Sequence, residues 1–213
     1  MSWKLASVVA VALVAGIALA YYVQDPRTGT ATWDSTRASG FAGYLLLWGS
    51  VVLGISIHLR VKPAGGRMTW MVESHRITSA LALSFVIAHV FALLLDDVVH
   101  FSVLDALVPF TSSFRPLQVG AGTLAQWLMV IVLASTALSA RLPYKTWRSL
   151  HYLSIPCWLL AEAHGLTSGT DSGAKLAIFV YATTGASVAA LLVVRASGRE
   201  FVEPDRAPRP LRR

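Results

Sequence analysis

Residues 74–91 read SHRITSALALSFVIAHVF, an apolar run in which His75 and His89 are fourteen residues apart. A second run, residues 147–166, reads WRSLHYLSIPCWLLAEAHGL and holds His151 and His164 thirteen residues apart. Because a helix rises ~1.5 Å per residue, each pair spans roughly 20 Å along its axis, against a hydrocarbon core about 30 Å thick. Each run therefore predicts a membrane helix with one histidine near each face of the bilayer.

Two such helices side by side would place two histidine pairs at two depths. Ionisable side chains at membrane depth are rare and are functional candidates by default. Neutral imidazoles commonly bind iron, and one from each side completes the coordination of a six-coordinate haem iron. A lone membrane histidine is more often a packed or interfacial residue. Four histidines in two matched pairs instead predict the axial ligands of two b-type haems.

Composition indicates an integral membrane protein. The 213 residues are 55% hydrophobic and 14% charged, with a mean hydropathy of +0.59, values that are unusual for a soluble globule. The single cysteine, Cys157, excludes a disulfide framework and disfavours a cysteine-ligated iron–sulfur cluster. The net charge is +7, but the basic residues flank apolar segments, which is typical of anchoring to a lipid bilayer. We therefore expect no nucleic-acid partner.

The apolar segments predict an all-α fold, a bundle of six transmembrane helices. The predicted spans are Lys4–Val23, Phe41–His58, Ser74–Leu95, Ala121–Ala140, Thr146–Leu166 and Ala174–Val194. Each is near the ~20 residues that a helix needs to cross the hydrocarbon core. The first span, with one lysine and an Ala-rich end, also resembles a signal peptide. We interpret it as a retained helix because it completes a balanced six-span topology.

Lysine and arginine accumulate on the cytoplasmic side of membrane proteins. With a cytoplasmic N-terminus, six spans place fourteen of the eighteen basic residues inside and leave four outside, Arg27, Arg37, Arg115 and Lys175. Both termini are then cytoplasmic, in a multi-pass protein of the cell (inner) membrane. His75 and His151 fall at the inner level, and His89 and His164 fall at the outer level.

The angular positions of the histidines around their helices are less regular than their predicted depths. Fourteen residues at ~100° each end about 40° short of four turns, so His75 and His89 share a face. Thirteen residues leave His164 about 140° away from His151. Pro156 lies between them and predicts a bend. The sequence leaves open whether that bend turns His164 toward a haem iron.

The two histidine runs and the loop VPFTSSFRPL at residues 108–117 resemble the ferric reductase-like transmembrane domain family. That family includes ferric reductases, NADPH oxidases and the haem-binding subunit of periplasmic methionine sulfoxide reductase. The resemblance covers residues 40–195. It implies two b haems, the inner one ligated by His75 and His151 and the outer one by His89 and His164.

Larger members of that family carry a flavin and nicotinamide domain after the last span. Here residues 1–195 are expected to form the membrane domain, and residues 196–213 a solvated basic tail. We therefore expect a membrane haem oxidoreductase that needs an electron donor in trans, either a cytoplasmic flavoprotein with FMN or FAD or a quinol. The outer acceptor would be ferric iron, oxygen or a periplasmic reductase. The alternatives are a haem-binding membrane subunit of a methionine sulfoxide reductase-type complex and a haem-free polytopic transporter or scaffold.

Several other residues are candidates for supporting roles. Arg76 adjoins His75 and Arg148 lies three residues before His151, so either could pair with an inner haem propionate, or simply anchor the interface. Glu162 could handle a proton, although capping or interfacial exposure suits it equally. Arg115 could meet an outer propionate or a substrate, or be a solvated loop residue. The glycines of the second and fourth spans predict close helix packing only.

Overall fold

The computed structural model of the protein describes residues 30–61, 67–96, 100–169 and 173–197. These residues form helices and connecting turns, without a strand among them. Within the same residues, four helices are long and apolar enough to cross a membrane. The first predicted span, Lys4–Val23, lies outside the described residues, as does nearly all of the predicted tail at residues 196–213.

The described helices follow the predicted order. They are α1 (Thr30–His58), α2 (Met68–Leu94), α3 (Val103–Leu107), α4 (Pro116–Ala137), α5 (Tyr144–His151), α6 (Ser154–Ser168) and α7 (Lys175–Ala196), with a 3₁₀ turn at Ser139–Arg141 before α5. Helices α1 and α2 begin well before the predicted spans at Phe41 and Ser74. Hydropathy locates the apolar centre of a membrane helix, whereas its polar first turns can extend beyond the hydrocarbon.

The predicted fifth span, Thr146–Leu166, is interrupted at Tyr152 and Leu153, close to the bend that Pro156 predicted. Helix α5 ends at His151, and α6 begins at Ser154. The cause is Pro156, which has no N–H to donate and whose ring clashes with the carbonyl of the residue four positions earlier, Tyr152. The regular helix is therefore interrupted one turn before the proline, between the two histidines of this run.

Two helix pairs form the framework of the bundle. Helix α1 packs mainly against α2, α4 packs mainly against α6, and α1 also contacts α6 and α7. The buried side of α1 is a stripe at helical spacing, formed by Tyr44, Leu47, Val51 and Ile55. Such a stripe at steps of three and four residues buries one helix face. The histidines of α2 lie in the space between these two pairs.

Helix α7 presents large apolar side chains to its surroundings. Leu176 is 74% exposed, Phe179 66% and Val193 68%. Soluble monomers rarely expose contiguous apolar surface of this kind, because each such side chain loses free energy in water. The exposure is instead what contact with lipid acyl chains requires, in agreement with a membrane protein.

Candidate functional site

The structure brings the four predicted histidines together in two pairs. The ring centroids of His75 and His151 are 6.0 Å apart, with an interplanar angle of 70°. Those of His89 and His164 are 6.3 Å apart, with an angle of 80°. The break between α5 and α6 thus overcomes the unfavourable helical phase of the second run, because each of its histidines faces a histidine of α2.

The spacing of the two rings in each pair fits a shared metal ion. An imidazole nitrogen lies about 2 Å from a metal it binds, and the ring centre lies about 1 Å further away. Two imidazoles on opposite sides of one metal therefore have centres about 6 Å apart. Both observed separations, 6.0 and 6.3 Å, match this value. The angle between the planes imposes no further condition, because each ring can turn about its metal–nitrogen bond.

Three of the four histidines donate a hydrogen bond from Nδ1–H to a backbone carbonyl of a neighbouring helix. His75 donates to Ser50 at 2.9 Å, His89 donates to Thr36 at 2.8 Å, and His164 donates to Gln118 at 2.8 Å. Because a carbonyl oxygen only accepts, the proton lies on Nδ1, and Nε2 keeps its lone pair. Metal-binding histidines are held in this way, and the bond also makes the ring a stronger ligand.

A glycine follows each accepting carbonyl four residues later and faces the same imidazole. The sets are Thr36 and Gly40 beside His89, Ser50 and Gly54 beside His75, and Gln118 and Gly122 beside His164. A Cβ atom at Gly40 would lie 2.8 Å from Nδ1 of its histidine, and one at Gly122 would lie 2.7 Å away. A helical carbonyl lies beside the residue four positions on, to whose N–H it is bonded. A glycine there leaves the carbonyl open to the imidazole.

The prediction that these glycines serve only helix packing was therefore too narrow. The sequence did contain a signal. Gly40 and Gly54 are fourteen residues apart, which is also the separation of His75 and His89. Equal spacing on two antiparallel helices brings each glycine beside one histidine. The signal could be recognised only by comparing the two helices.

His151 differs from the other three histidines. Its Nδ1 is buried and has no hydrogen-bond partner among the residues that the structure describes. Its ring stacks instead on Trp147, one turn earlier on α5, with a centroid distance of 5.3 Å and an interplanar angle of 28°. The indole Nε1 of Trp147 donates to Oγ1 of Thr136 on α4, at 3.4 Å.

A cavity of ≈ 590 Å³ surrounds the outer pair. Its lining includes His89, His164 and the two glycines that face them, with apolar side chains of six helices around them. Pockets for cofactors usually measure about 300–1,000 Å³ and are mostly apolar, so the cavity suits a flat, largely hydrocarbon macrocycle. Arg37 and Asp34 also line it and form an ion pair with a separation of 3.3 Å.

The arginines that were candidates for propionate binding are held by residues three or four positions away in the sequence. Arg76 pairs with Glu73 at 3.6 Å, and both side chains are exposed. Arg148 donates to the hydroxyls of Tyr152, at 2.7 Å, and Tyr144, at 3.0 Å. These contacts keep both guanidinium groups on the predicted inner side of the bundle. Propionate binding stays a prediction for each of them.

Arg115 is more than a solvated loop residue. Its Nη1 donates to the carbonyls of Thr167, at 2.8 Å, and Ser168, at 3.3 Å. The last carbonyls of a helix have no intrahelical partner, and a cation there also stabilises the helix dipole. Arg115 therefore caps α6 at the end of the helix that carries His164.

Glu162 is half-buried and belongs to a hydrogen-bonded group that joins three helices. The hydroxyl of Tyr44 on α1 donates to the Glu162 carboxylate at 2.6 Å and is also hydrogen-bonded to Thr184 on α7. Tyr44 lines the cavity of the outer pair. The partly buried carboxylate thus has a hydrogen-bond partner on a neighbouring helix, and the role of Glu162 in handling a proton stays a prediction.

Within the described parts of the chain, no three His, Cys, Asp or Glu side chains converge as a metal site made of protein ligands alone would require. Two histidines per site is the protein ligand number of a six-coordinate haem, whose macrocycle supplies the other four nitrogens. A comparison of the chain with models of known protein families, with curated proteins and with solved structures found no match.

Proposed function

We propose that the protein is a transmembrane b-type cytochrome that passes electrons across the membrane through two haems. His75 and His151 would hold the inner haem, and His89 and His164 the outer one. The observation that carries the proposal is the pairing of all four rings at 6.0 and 6.3 Å. The resemblance to the ferric reductase-like transmembrane domain family supports it. When bound, each haem supplies one-electron chemistry by alternating between its ferric and ferrous states.

The contribution of the chain is to fix two haems at different depths. His75 and His89 are fourteen residues apart on α2, which corresponds to roughly 21 Å along the helix. Their acceptors on α1, Ser50 and Thr36, are separated by the same number of residues. Helices α1 and α2 therefore act together as the support of both sites, while α5 and α6 supply the opposite ligands.

The distribution of charge supports an orientation with His75 and His151 toward the cytoplasm. Exposed basic side chains cluster at that end of the bundle, where α1 ends and α5 begins, and they include Arg60, Arg141 and Lys145. Cytoplasmic loops of membrane proteins are enriched in such residues. In this proposal the chain has six spans, both termini are cytoplasmic, and the protein resides in the inner membrane.

The same basic surface is suited to an electron donor. Positive charge around a docking site attracts an acidic flavoprotein or an anionic flavin and raises its association rate. Screening shortens this attraction to about 8–10 Å at 0.1–0.15 M ionic strength. Reduction by a flavoprotein should therefore slow as salt is added. A membrane quinol would approach through the lipid and show little dependence on salt.

Haem content tests the proposal directly. The purified protein should contain two haems b per chain, both low-spin, as measured by a pyridine haemochrome assay and electron paramagnetic resonance. His75→Ala and His151→Ala should each lose the inner haem, whereas His89→Ala and His164→Ala should each lose the outer one. His58→Ala is the matched control, because His58 ends α1 outside both pairs. A haem-free native protein, or full haem content in His89→Ala, would refute the proposal.

The outer acceptor is tested with the reduced protein. Ferric chelates, oxygen and a periplasmic methionine sulfoxide reductase would be added in turn to protein reduced with dithionite, and the haem spectrum would be followed. Rapid reoxidation by the soluble reductase alone would indicate a membrane subunit of a methionine sulfoxide reductase-type complex. Rapid reoxidation by ferric chelates would indicate a ferric reductase.

A further inference from the structure

The pattern of carbonyl and glycine beside a histidine occurs three times and is missing at the fourth site. On α1 the accepting carbonyls of Thr36 and Ser50 are fourteen residues apart. The same step along α4 leads from the acceptor Gln118 to Val132, and from the glycine that follows it, Gly122, to Thr136. Helix α4 therefore carries a threonine at the position where the pattern requires a glycine.

That threonine also occupies the carbonyl at the position equivalent to the other three acceptors. The hydroxyl of Thr136 donates to the carbonyl of Val132 at 2.8 Å, and the hydroxyl of Ser135 donates to the same carbonyl at 2.9 Å. A carbonyl oxygen has two lone pairs, so two hydroxyl donors leave little capacity for an imidazole. Nδ1 of His151 accordingly has no acceptor in the described part of the chain.

Trp147 positions His151 in place of the missing hydrogen bond. Its indole stacks on the imidazole and is itself fixed by its hydrogen bond to Thr136. A stacked ring holds the plane of the imidazole, but it accepts no proton from Nδ1. The gain in ligand basicity that the other three histidines receive from a carbonyl is therefore absent. Of the four histidines, His151 would then have the weakest hold on a metal.

We propose that His151 is the exchangeable ligand of the four, so that the inner site admits a small neutral ligand of ferrous iron while the outer site stays closed. The inference rests on the proposed function and extends it by making the two sites unequal. The step is a ligand exchange. Nε2 of His151 would give up its bond to the iron, a lone pair of the incoming ligand would take its place, and no electron or proton would be transferred.

Carbon monoxide is the probe for this exchange. The native protein, reduced with dithionite, should bind one carbon monoxide per two haems, as shown by its difference spectrum. Trp147→Leu should bind it at least fivefold more tightly, and Trp147→Phe, which keeps a stacked ring, should resemble the native protein. Trp127→Leu is the matched control, because Trp127 lies on α4 and donates to Leu107, away from His151.

A second pair of variants tests whether Thr136 is the reason that His151 lacks an acceptor. Thr136→Gly opens the carbonyl of Val132 and should weaken carbon monoxide binding at least tenfold, because His151 gains its acceptor. Thr136→Val keeps a Cβ atom over the carbonyl and should still bind carbon monoxide. The unchanged spectrum of the outer haem reports that each variant is folded.

The outcomes distinguish this inference from the proposed function. A native chain without haem would overturn both. A chain with two haems that binds no carbon monoxide, either as the native protein or as Trp147→Leu, would overturn the exchange alone. Equal binding by Thr136→Gly and Thr136→Val would also overturn it, since the carbonyl would then have no influence on His151.

Discussion

Replacement of Gly40 by alanine should weaken the outer haem site. The new Cβ atom would lie 2.8 Å from Nδ1 and 3.0 Å from Cε1 of His89, whereas non-bonded carbon atoms prefer about 3.5–4.0 Å. The imidazole must therefore move by about 0.7 Å, away from the Thr36 carbonyl that it contacts at 2.8 Å. Loss of that hydrogen bond costs about 0.5–1.5 kcal/mol, and overpacking costs a further 1–3 kcal/mol, also approximately.

The helix itself gains from the same substitution, by roughly 1 kcal/mol, because alanine is a better helix former than glycine. The net cost is then about 0.5–3.5 kcal/mol, which corresponds to roughly 2- to 300-fold weaker haem binding at this site. The assay is haem transfer to an excess of apomyoglobin, which measures the rate at which each haem leaves the protein. One of the two haems should leave faster from the Gly40→Ala variant than from the native protein. The inner haem should be lost at the native rate.

Two other glycines of α1 provide the controls. Gly49 has nothing within 4 Å of its added Cβ atom, so Gly49→Ala should keep both haems. Gly54 is intermediate, with a Cβ atom 3.3 Å from Cε1 of His75, so Gly54→Ala should weaken the inner haem slightly. Equal haem retention by the alanine variants of Gly40 and Gly49 would refute the reasoning.

Three more predictions concern topology, docking and pH. Reporter fusions at the C-terminus and within residues 111–113 should give opposite signals, because the basic residues place these points on opposite sides of the membrane; equal signals would contradict the six-span topology. Reversal of charge at Arg141 and Lys145 should slow reduction by an acidic flavoprotein and remove its salt dependence, and unchanged kinetics would favour a quinol. Hydrogen bonds from the Ser102 hydroxyl and backbone N–H hold the pKa of Asp105 below its ordinary value. The folded pKa is lowered, so this stabilisation of α3 is present above the ordinary pKa of aspartate and is lost as the pH falls through the folded value. Amide exchange in α3 should therefore accelerate in acid relative to its intrinsic rate, and Ser102→Ala should reduce that pH dependence.

The pairing of the histidines at two levels along the bundle could be predicted from the sequence, whereas the direction of each side chain could not. The level depends on one number, the rise per residue, which relates a count of residues to a distance along the helix. Direction depends on every bend in the chain. His164 lay about 140° out of phase with His151 in an ideal helix, and the break before Ser154 compensates for that angle. Pro156 indicated that a break was near, but not how far it would turn α6.

The contacts of the glycines and of Glu162 could not be predicted because they depend on the neighbouring helix. Gly40 faces His89 only because α1 and α2 run in opposite directions at one particular register. The carboxylate of Glu162 is satisfied by Tyr44, which is 118 residues away in the sequence. Hydropathy identifies the segments that can cross a membrane, but it does not indicate which helices pack together. Polar contacts between helices therefore cannot be predicted from it.

The break between α5 and α6 makes the bundle unequally tolerant of changes in chain length. On α2, one inserted residue between His75 and His89 would shift one of them by about 1.5 Å and 100° relative to the other, so that a single pair could form. An insertion after Tyr152 falls where the helix is already interrupted, and the extra residue can be absorbed in the turn. Insertions and deletions should therefore be tolerated only in the second histidine run. The separation of the two histidines of α2 must stay at fourteen residues if both pairs are to form.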